Sequence, residues 1–223
     1  MFTPLTLLAL LLPLTHASKS RTVNPDLNAQ LLTAATNYDR NTLLPADSDW
    51  YYDFFKHPYY NSTVGSVIAA DAATFPALAG QGISISLLTL GPCSMLPPHL
   101  HPRATNLVTA ISGNTTSYMI GENGVRTVKV NLIPMRMTIF PRASLHVMQN
   151  NGCEPSVLIS ALNSEDSGTL NILNSLWTIP RDIIQAAFGN AGLDTEDLGE
   201  SIPDVGTGAV AGSAECKLRC GIA

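Results

Sequence analysis

The chain has 223 residues, with 12 Lys and Arg against 17 Asp and Glu and a formal net charge of −5, and its isoelectric point is near 5.4. The cations are scattered rather than gathered on one face or stripe, which argues against nucleic acid and against an anionic membrane surface as partners. The length allows one large domain with a sizeable core, a common size for an all-β domain.

The first residues, MFTPLTLLALLLPLTHAS, hold an apolar run from Leu5 to Leu14 that is too short to span a bilayer. Small residues suited to cleavage after Ala17 follow it, so residues 1–17 read as a signal peptide and the protein as secreted and extracellular. The alternative is a buried or anchoring helix, because no Lys or Arg precedes the run. Sequons at Asn61 and Asn114 agree with secretion and mark candidate glycosylation sites, Asn114 following Gly113 in an apparent turn. Residues 18–65 read as an N-terminal arm. Within it NPDLNAQLLTAATN has a capping-type start at Asn24 and spaces Leu27, Leu31 and Leu32 for a short helix. The aromatic run DWYYDFFKHPYYNST reads as a packed arm, and its His57 as a structural or exposed residue.

Residues 66–178 read as β. ISISLLTL (83–90), TNLVTAI (105–111), TTSYMI (115–120), VRTVKVNL (125–132), RMTIF (136–140), LHVMQ (145–149) and SVLISAL (156–162) are short and rich in β-branched residues. Turn-forming SGN, GENG, PRA and NNGCEP separate them, which predicts an all-β sandwich or barrel. Residues 179–200 return to helix. PRDIIQAAFGNAG starts with Pro180 in a first turn, ends at Gly189 or Gly192, and places Ile183, Ile184, Ala187 and Phe188 on one apolar face; DTEDLGESIP adds a second short helix. That face is surplus to one closed barrel and predicts a homo-oligomer. The Gly- and Ala-rich end, residues 201–223, reads as a flexible tail.

Cys93, Cys153, Cys216 and Cys220 all lie in the mature part, and their even number in an oxidising compartment suggests two bridges. Cys93 stands six residues before His99, and Cys153 seven after His146. If those histidines meet across an antiparallel pair of strands, the two cysteines come together as well. The expected bridge is therefore Cys93–Cys153, with Cys216 and Cys220 closing a small loop; free buried thiols are the alternative.

Within HLHPRATN (99–106), His99 and His101 project to one side of an extended strand. His146 opens a strand just after a Pro-containing turn, where it can reach into a barrel mouth. Three neutral imidazoles suit Zn, Cu, Fe, Ni or Mn and leave open positions for water or substrate.

HLHPRATN resembles the first motif of germin-like cupins, G-x5-H-x-H-x3,4-E-x6-G, and Pro141 through His146 to Asn150 resembles the second, G-x5-P-x-G-x2-H-x3-N. PPHLHPRA, YMIGENG, MTIFPRASLH and AAFG are similar to the secreted fungal and slime-mould branch, the spherulin-like cupins of the type-1 cupin family. The resemblance covers roughly residues 24–190. It implies a single jelly-roll β-barrel, with the metal inside and the helices used in oligomerisation. Cys93, Met135 and Ala143 stand where the motifs have Gly, departures that local backbone changes should absorb, and Asn106 stands in place of the carboxylate. The implied metal ligands are His99, His101, His146 and Asn106, and the implied ion is divalent, manganese by resemblance. An amide oxygen is a neutral and weaker ligand than a carboxylate, so the site should be less selective for manganese.

The leading expectation is a secreted metal-binding monocupin with a stress, spore, wall or host-interaction role, with its catalytic status open. A second reading is a cyclase, isomerase or coupling guide of a fungal secondary-metabolite pathway. Its small-molecule pocket would use Arg103, Met119, Met137, Phe140 and Met148 together with Leu96, and Arg142 would stand near the mouth. Oxalate oxidase and superoxide dismutase activities, tied in germins to manganese in a His3Glu site, are lesser alternatives, and histidines kept as barrel features without metal are the plainest.

Overall fold

The computed structural model describes residues 22–58, 60, 64–190, 192–206 and 208–222. The signal peptide expected over 1–17 and the sequon at Asn61 lie outside them. Two helices, α1 (Pro25–Thr33) and α2 (Asn37–Leu43), precede nine strands: β1 (Gly65–Ala70), β2 (Ser84–Leu90), β3 (Ser94–Leu100), β4 (Asn106–Ser112), β5 (Thr115–Ile120), β6 (Val128–Leu132), β7 (Met137–Phe140), β8 (Leu145–Asn150) and β9 (Ser156–Leu162). After these come β10 (Leu170–Asn171), α3 (Ile172–Leu176), α4 (Arg181–Ala187), α5 (Thr195–Glu200), β11 (Val210–Ala211) and α6 (Ala214–Cys220).

The strands form two antiparallel sheets, ordered β1-β2-β9-β4-β7 and β10-β3-β8-β5-β6, with β11 also paired to β3. Burial alternates along β8 and β9, so one face of each strand is turned inward. Leu88, Val108, Phe140 and Leu158 from the first sheet meet Leu96, Leu132 and Met148 from the second, and these side chains fill the barrel interior. This is the expected all-β barrel, with every predicted strand present to within a few residues.

The N-terminal arm packs through a second, smaller core. Leu31 and Leu44 are buried there with Ala77 and Ala79, and Arg40 donates hydrogen bonds to the carbonyls of Leu31 and Ala77. Asn24 caps α1 by accepting from Leu27 N, as its sequence position predicts. Tyr52 packs against Phe54 and Phe75, which makes the aromatic run a docked arm.

The three residues that stand where the motifs have Gly lie in left-handed backbone. Cys93, Met135 and Ala143 keep positive φ, at 51°, 67° and 60°. The turns demand the left-handed conformation whatever the side chain, at a cost of about 1–2 kcal/mol for a residue with a Cβ.

Two expectations are overturned at the C-terminus. The end of the chain is not a loose tail. Val210 and Ala211 pair with Met95 and Ser94 of β3, Ala209 enters the main core, and Ser213 caps α6. The bridges are Cys93–Cys216 and Cys153–Cys220, not Cys93–Cys153. The strand register does bring the two barrel turns together, since Cys93 N donates to Gly152 O at 3.1 Å. However, α6 returns over both turns with its cysteines one helical turn apart, and each barrel cysteine takes one of them.

Candidate metal centre

The histidines reach one point because β3 changes parity. Leu96 pairs with Met148 and His99 with His146, so three residues on β3 span two on β8. Pro97 and Pro98 lie at this irregularity, where a residue without an N–H loses no ladder hydrogen bond. Without the extra residue Leu96 and His99 would face opposite sides; with it both are buried inward. His101 follows two residues later on the same side. On β8, His146, Met148 and Asn150 share the buried face.

The three rings pack around one centre, with centroids separated by 4.2 Å (His99–His146), 5.3 Å (His99–His101) and 5.4 Å (His101–His146). One ring nitrogen from each lies within 4.8 Å of the other two. Each Nδ1 sits against a backbone carbonyl: Pro97 O at 2.7 Å for His99, Gly168 O at 2.7 Å for His101 and Ser144 O at 2.9 Å for His146. A carbonyl can only accept, so Nδ1 carries the proton in all three and Nε2 is left as a lone pair. Nε2 of His146 is buried and has no hydrogen-bond partner.

Burial also keeps the rings neutral. It lowers His99 to about 4 and His146 to about 3, the second helped by the neighbouring His99, and it lowers His101 as well. Backbone carbonyl contacts oppose the shift without reversing it. Phe140 stacks on His146, with centroids 4.1 Å apart and planes 10° from parallel, and fixes the ring from behind.

The donor set therefore fits a divalent metal. Three uncharged nitrogen ligands converge, their tautomers are fixed, and one of them has no other partner. Asn106 is buried at the start of β4 and lines the same cavity, and its Oδ1 accepts from Ser160 Oγ at 2.6 Å. Ser160 was missed in the sequence because it is one inward-facing residue of a regular β strand with no motif around it.

The cavity beside the histidines has a volume of about 400 Å³. Of the expected pocket residues, Met148 and Leu96 line it. The remaining assignments are corrected. Met137 is exposed on the outer face, Met119 packs half-buried against the core, and Phe140 lies behind His146. Arg103 is paired with Asp166, donating from Nη2 to Oδ1 at 2.8 Å and from Nε to the backbone carbonyl at 2.7 Å. It serves the site at one remove, because the loop it fastens carries Gly168, whose carbonyl orients His101. Gly168 has φ of 67°, and the Gly of SEDSGT was the one sequence sign of this turn. A rim contributed by residues 204–206 and Gly208 was not foreseen at all.

Asn150, the last residue of the second motif, is structural. Its Nδ2 donates to the carbonyls of Leu90, Gly91 and Glu154, and its Oδ1 accepts from Gly152 N. Asn114 is exposed in the turn between β4 and β5. Ile183 on α4 and Phe188 just after it are exposed, whereas Ile184 is buried and unavailable to a partner. Among the described residues no helix is long and apolar enough to cross a membrane.

Comparison with known proteins agrees with this fold. Residues 54–196 match the family model described as Cupin. Spherulin-1A of Physarum polycephalum is 32% identical over 205 residues, covering 91% of this chain and 82% of that protein. Germin-like protein subfamily 2 member 2 of Arabidopsis thaliana is 29% identical over 158 residues, covering 67% of this chain and 70% of that protein. A solved oxalate oxidase superposes with a TM-score of 0.59 at 20% identity, over 64% of this chain and 75% of its own, a likeness of fold.

Proposed function

From the premise that this chain belongs to the cupin family, as a germin- and spherulin-like member, we propose that it is a secreted monocupin that binds a divalent metal through Nε2 of His99, His101 and His146. The observation that carries this reading is the partnerless, buried Nε2 of His146 among three rings whose Nδ1 atoms are already committed. Beside the three histidines, Asn106 would add at most a neutral oxygen to the site. A bound ion would supply a Lewis acid beside a cavity large enough for a small molecule. The germin likeness favours manganese, and the missing carboxylate loosens that preference. A stress, spore, wall or host-interaction role accords with the spherulin and germin likeness, with Asn114 as a glycan carrier and the exposed Ile183 and Phe188 as part of a homo-oligomer contact.

The test is elemental analysis of the purified chain after dialysis against a weak chelator. One metal per chain is expected, and replacement of any of the three histidines by Ala should abolish it. Equal metal in the parent and all three variants would sink the reading. Light scattering at micromolar concentration checks the assembly, for which a monomeric mass would be the contrary result.

A second reading has one observation in its favour. Leu88, Leu96, Met148 and Leu162 give the cavity a substantial apolar wall beside the histidines, which suits an apolar small molecule and the cyclase or isomerase class. A metal-free protein that still binds an aromatic ligand would favour it.

A further inference from the structure

The ends of β3 and β8 far from the histidines carry chemistry that the metal proposal does not use. Cys93, in the turn before β3, is bonded to Cys216, and Cys153, after β8, to Cys220, so α6 is stapled by both of its cysteines. The bridges differ in access. Cys93 and Cys216 are fully buried, whereas Cys153 is exposed and Cys220 is partly so. A thiol in solution can reach the outer bridge and not the inner one. Across the gap between them the sulfurs of Cys220 and Cys93 are only 3.6 Å apart, and those of Cys93, Cys216 and Cys220 all lie within 4.8 Å of one another. Nη2 of Arg219 stands 3.3 Å from the Cys216 sulfur. A fixed positive charge is therefore in place where a Cys216 thiolate would form.

We propose that these groups form a thiol–disulfide relay whose co-reactant is a dithiol, with the exposed Cys153–Cys220 bridge as the entry point to the buried Cys93–Cys216 bridge. A thiolate of the dithiol attacks Cys153 Sγ, the Cys153–Cys220 bond breaks, and Cys220 leaves as a thiolate. The second thiol of the co-reactant, deprotonated, attacks its partner sulfur in the mixed disulfide. Cys153 is released and takes up a proton, and the co-reactant departs as a disulfide. The protein has then gained two electrons. The Cys220 thiolate next attacks Cys93 Sγ, forms a Cys93–Cys220 bond and expels Cys216 as a thiolate beside Arg219, a step that moves no net electrons. A second dithiol is required to open the new bridge. Two electrons thus shift the staple by one turn of α6, and four release it.

What the staple holds gives the relay a consequence. Residues 204–206 stand at the cavity rim, and residues 208–213 lead from it through Ala209 and β11 to α6; both stretches lie beyond the 54–196 match to the family. Gly212 packs where a Cβ would meet Cys93 O and the Gln149 side chain, so the strap is seated tightly against the barrel. Full reduction frees the covalent anchor of a segment that walls the cavity.

The experiment treats the purified full chain with limiting dithiothreitol, quenches with acid, unfolds, labels free thiols with a maleimide and maps peptides. In the species with two free thiols the expected labels are on Cys153 and Cys216, with Cys93 linked to Cys220. Labels on Cys153 and Cys220 with Cys93–Cys216 intact would overturn the relay, as would simultaneous loss of both bridges. The Arg219→Gln change should slow the appearance of the Cys216 label about tenfold, the loss expected from one hydrogen bond to a developing charge, and leave the Cys153 rate unaltered; an unaltered Cys216 rate would remove Arg219 from the relay. The Cys153→Ser chain, born with Cys220 unpaired, tests the transfer without reductant. Its Cys216 should be found labelled in part of the population, and labelling confined to Cys220 would count against the transfer.

Discussion

β3 has a histidine end and a cysteine end, and the two are assembled in different ways. At the first, three imidazoles are oriented by backbone carbonyls a short reach away, two of them belonging to residues only two positions earlier in the chain. At the second, the sulfurs meet because the chain returns after 123 residues in one bridge and 67 in the other. Short-range geometry makes the first end rigid from within. Covalent closure holds the second from outside. One strand thus carries a site fixed by local conformation and another fixed by topology, so the two should respond to different perturbations.

The largest expected effect tests that independence. Replacing both Cys93 and Cys216 by Ala should lower unfolding stability by about 2–5 kcal/mol in denaturant titrations, while leaving metal content after mild dialysis at the parent value. Loss of the metal in that variant would show that the two ends are one cooperative unit.

Acid should act the opposite way and strike only the histidine end. In an unfolded chain the imidazoles titrate near 6.5, and in the fold burial holds His99 near 4 and His146 near 3. As the pH falls the unfolded chain binds these protons first, so metal-free protein keeps its stability above about 6.5 and loses it from there towards 4 and then 3. Melting curves of chelator-treated protein at descending pH measure this, and a midpoint flat across that window would contradict the buried neutral rings.

Asn106 sharpens the account of the metal itself. The Asn106→Ala change should weaken metal affinity about tenfold, the low end for residues that support a metal site, whereas Asn106→Glu should strengthen manganese binding by restoring an anionic oxygen. Competition titrations with a chromogenic chelator read both, and a weaker Asn106→Glu site would show that no ligand position exists there.

The smallest effect concerns Ala143, whose N donates to His101 O while its φ is 60°. Ala143→Gly should relieve left-handed strain but lose some of that to a freer unfolded chain, for a net gain of about 0.5–1 kcal/mol. Destabilisation by this change would mean the methyl group packs usefully.

The histidine end was legible in the sequence because its signals are local: H-x-H two apart on a strand, a third histidine after a Pro turn, and strands marked by β-branched runs. The barrel followed from the same punctuation. β1, GSVIAA, was passed over because its small residues give little periodic contrast, and of β3, SMLPPHL, only the histidine end was read as strand, because two prolines ordinarily argue against one. The bulge that accommodates them is the feature that aligns Leu96 and His99 inward. The cysteine end was illegible for a different reason. Pairing among four cysteines is set by where α6 lands, and the Gly- and Ala-rich approach to it looks loose as sequence while its small residues are what let the backbone press against Cys93 and Val67. Arg103 and Met137 were misplaced because flanking a motif in sequence says little about which face of a sheet a side chain takes.

The Cys93–Cys216 bond also turns the barrel from β3 to β9 into a covalent ring that contains His99, His101 and His146. A protease that nicks any one loop between residues 94 and 215 leaves a single molecule, cut but undivided. Such damage would pass unseen on a non-reducing gel, and the histidine-bearing strands would stay in register while a reducing gel reported two fragments. Wherever the protein meets a protease, the ring converts cleavage from a loss of the site into a change of connectivity.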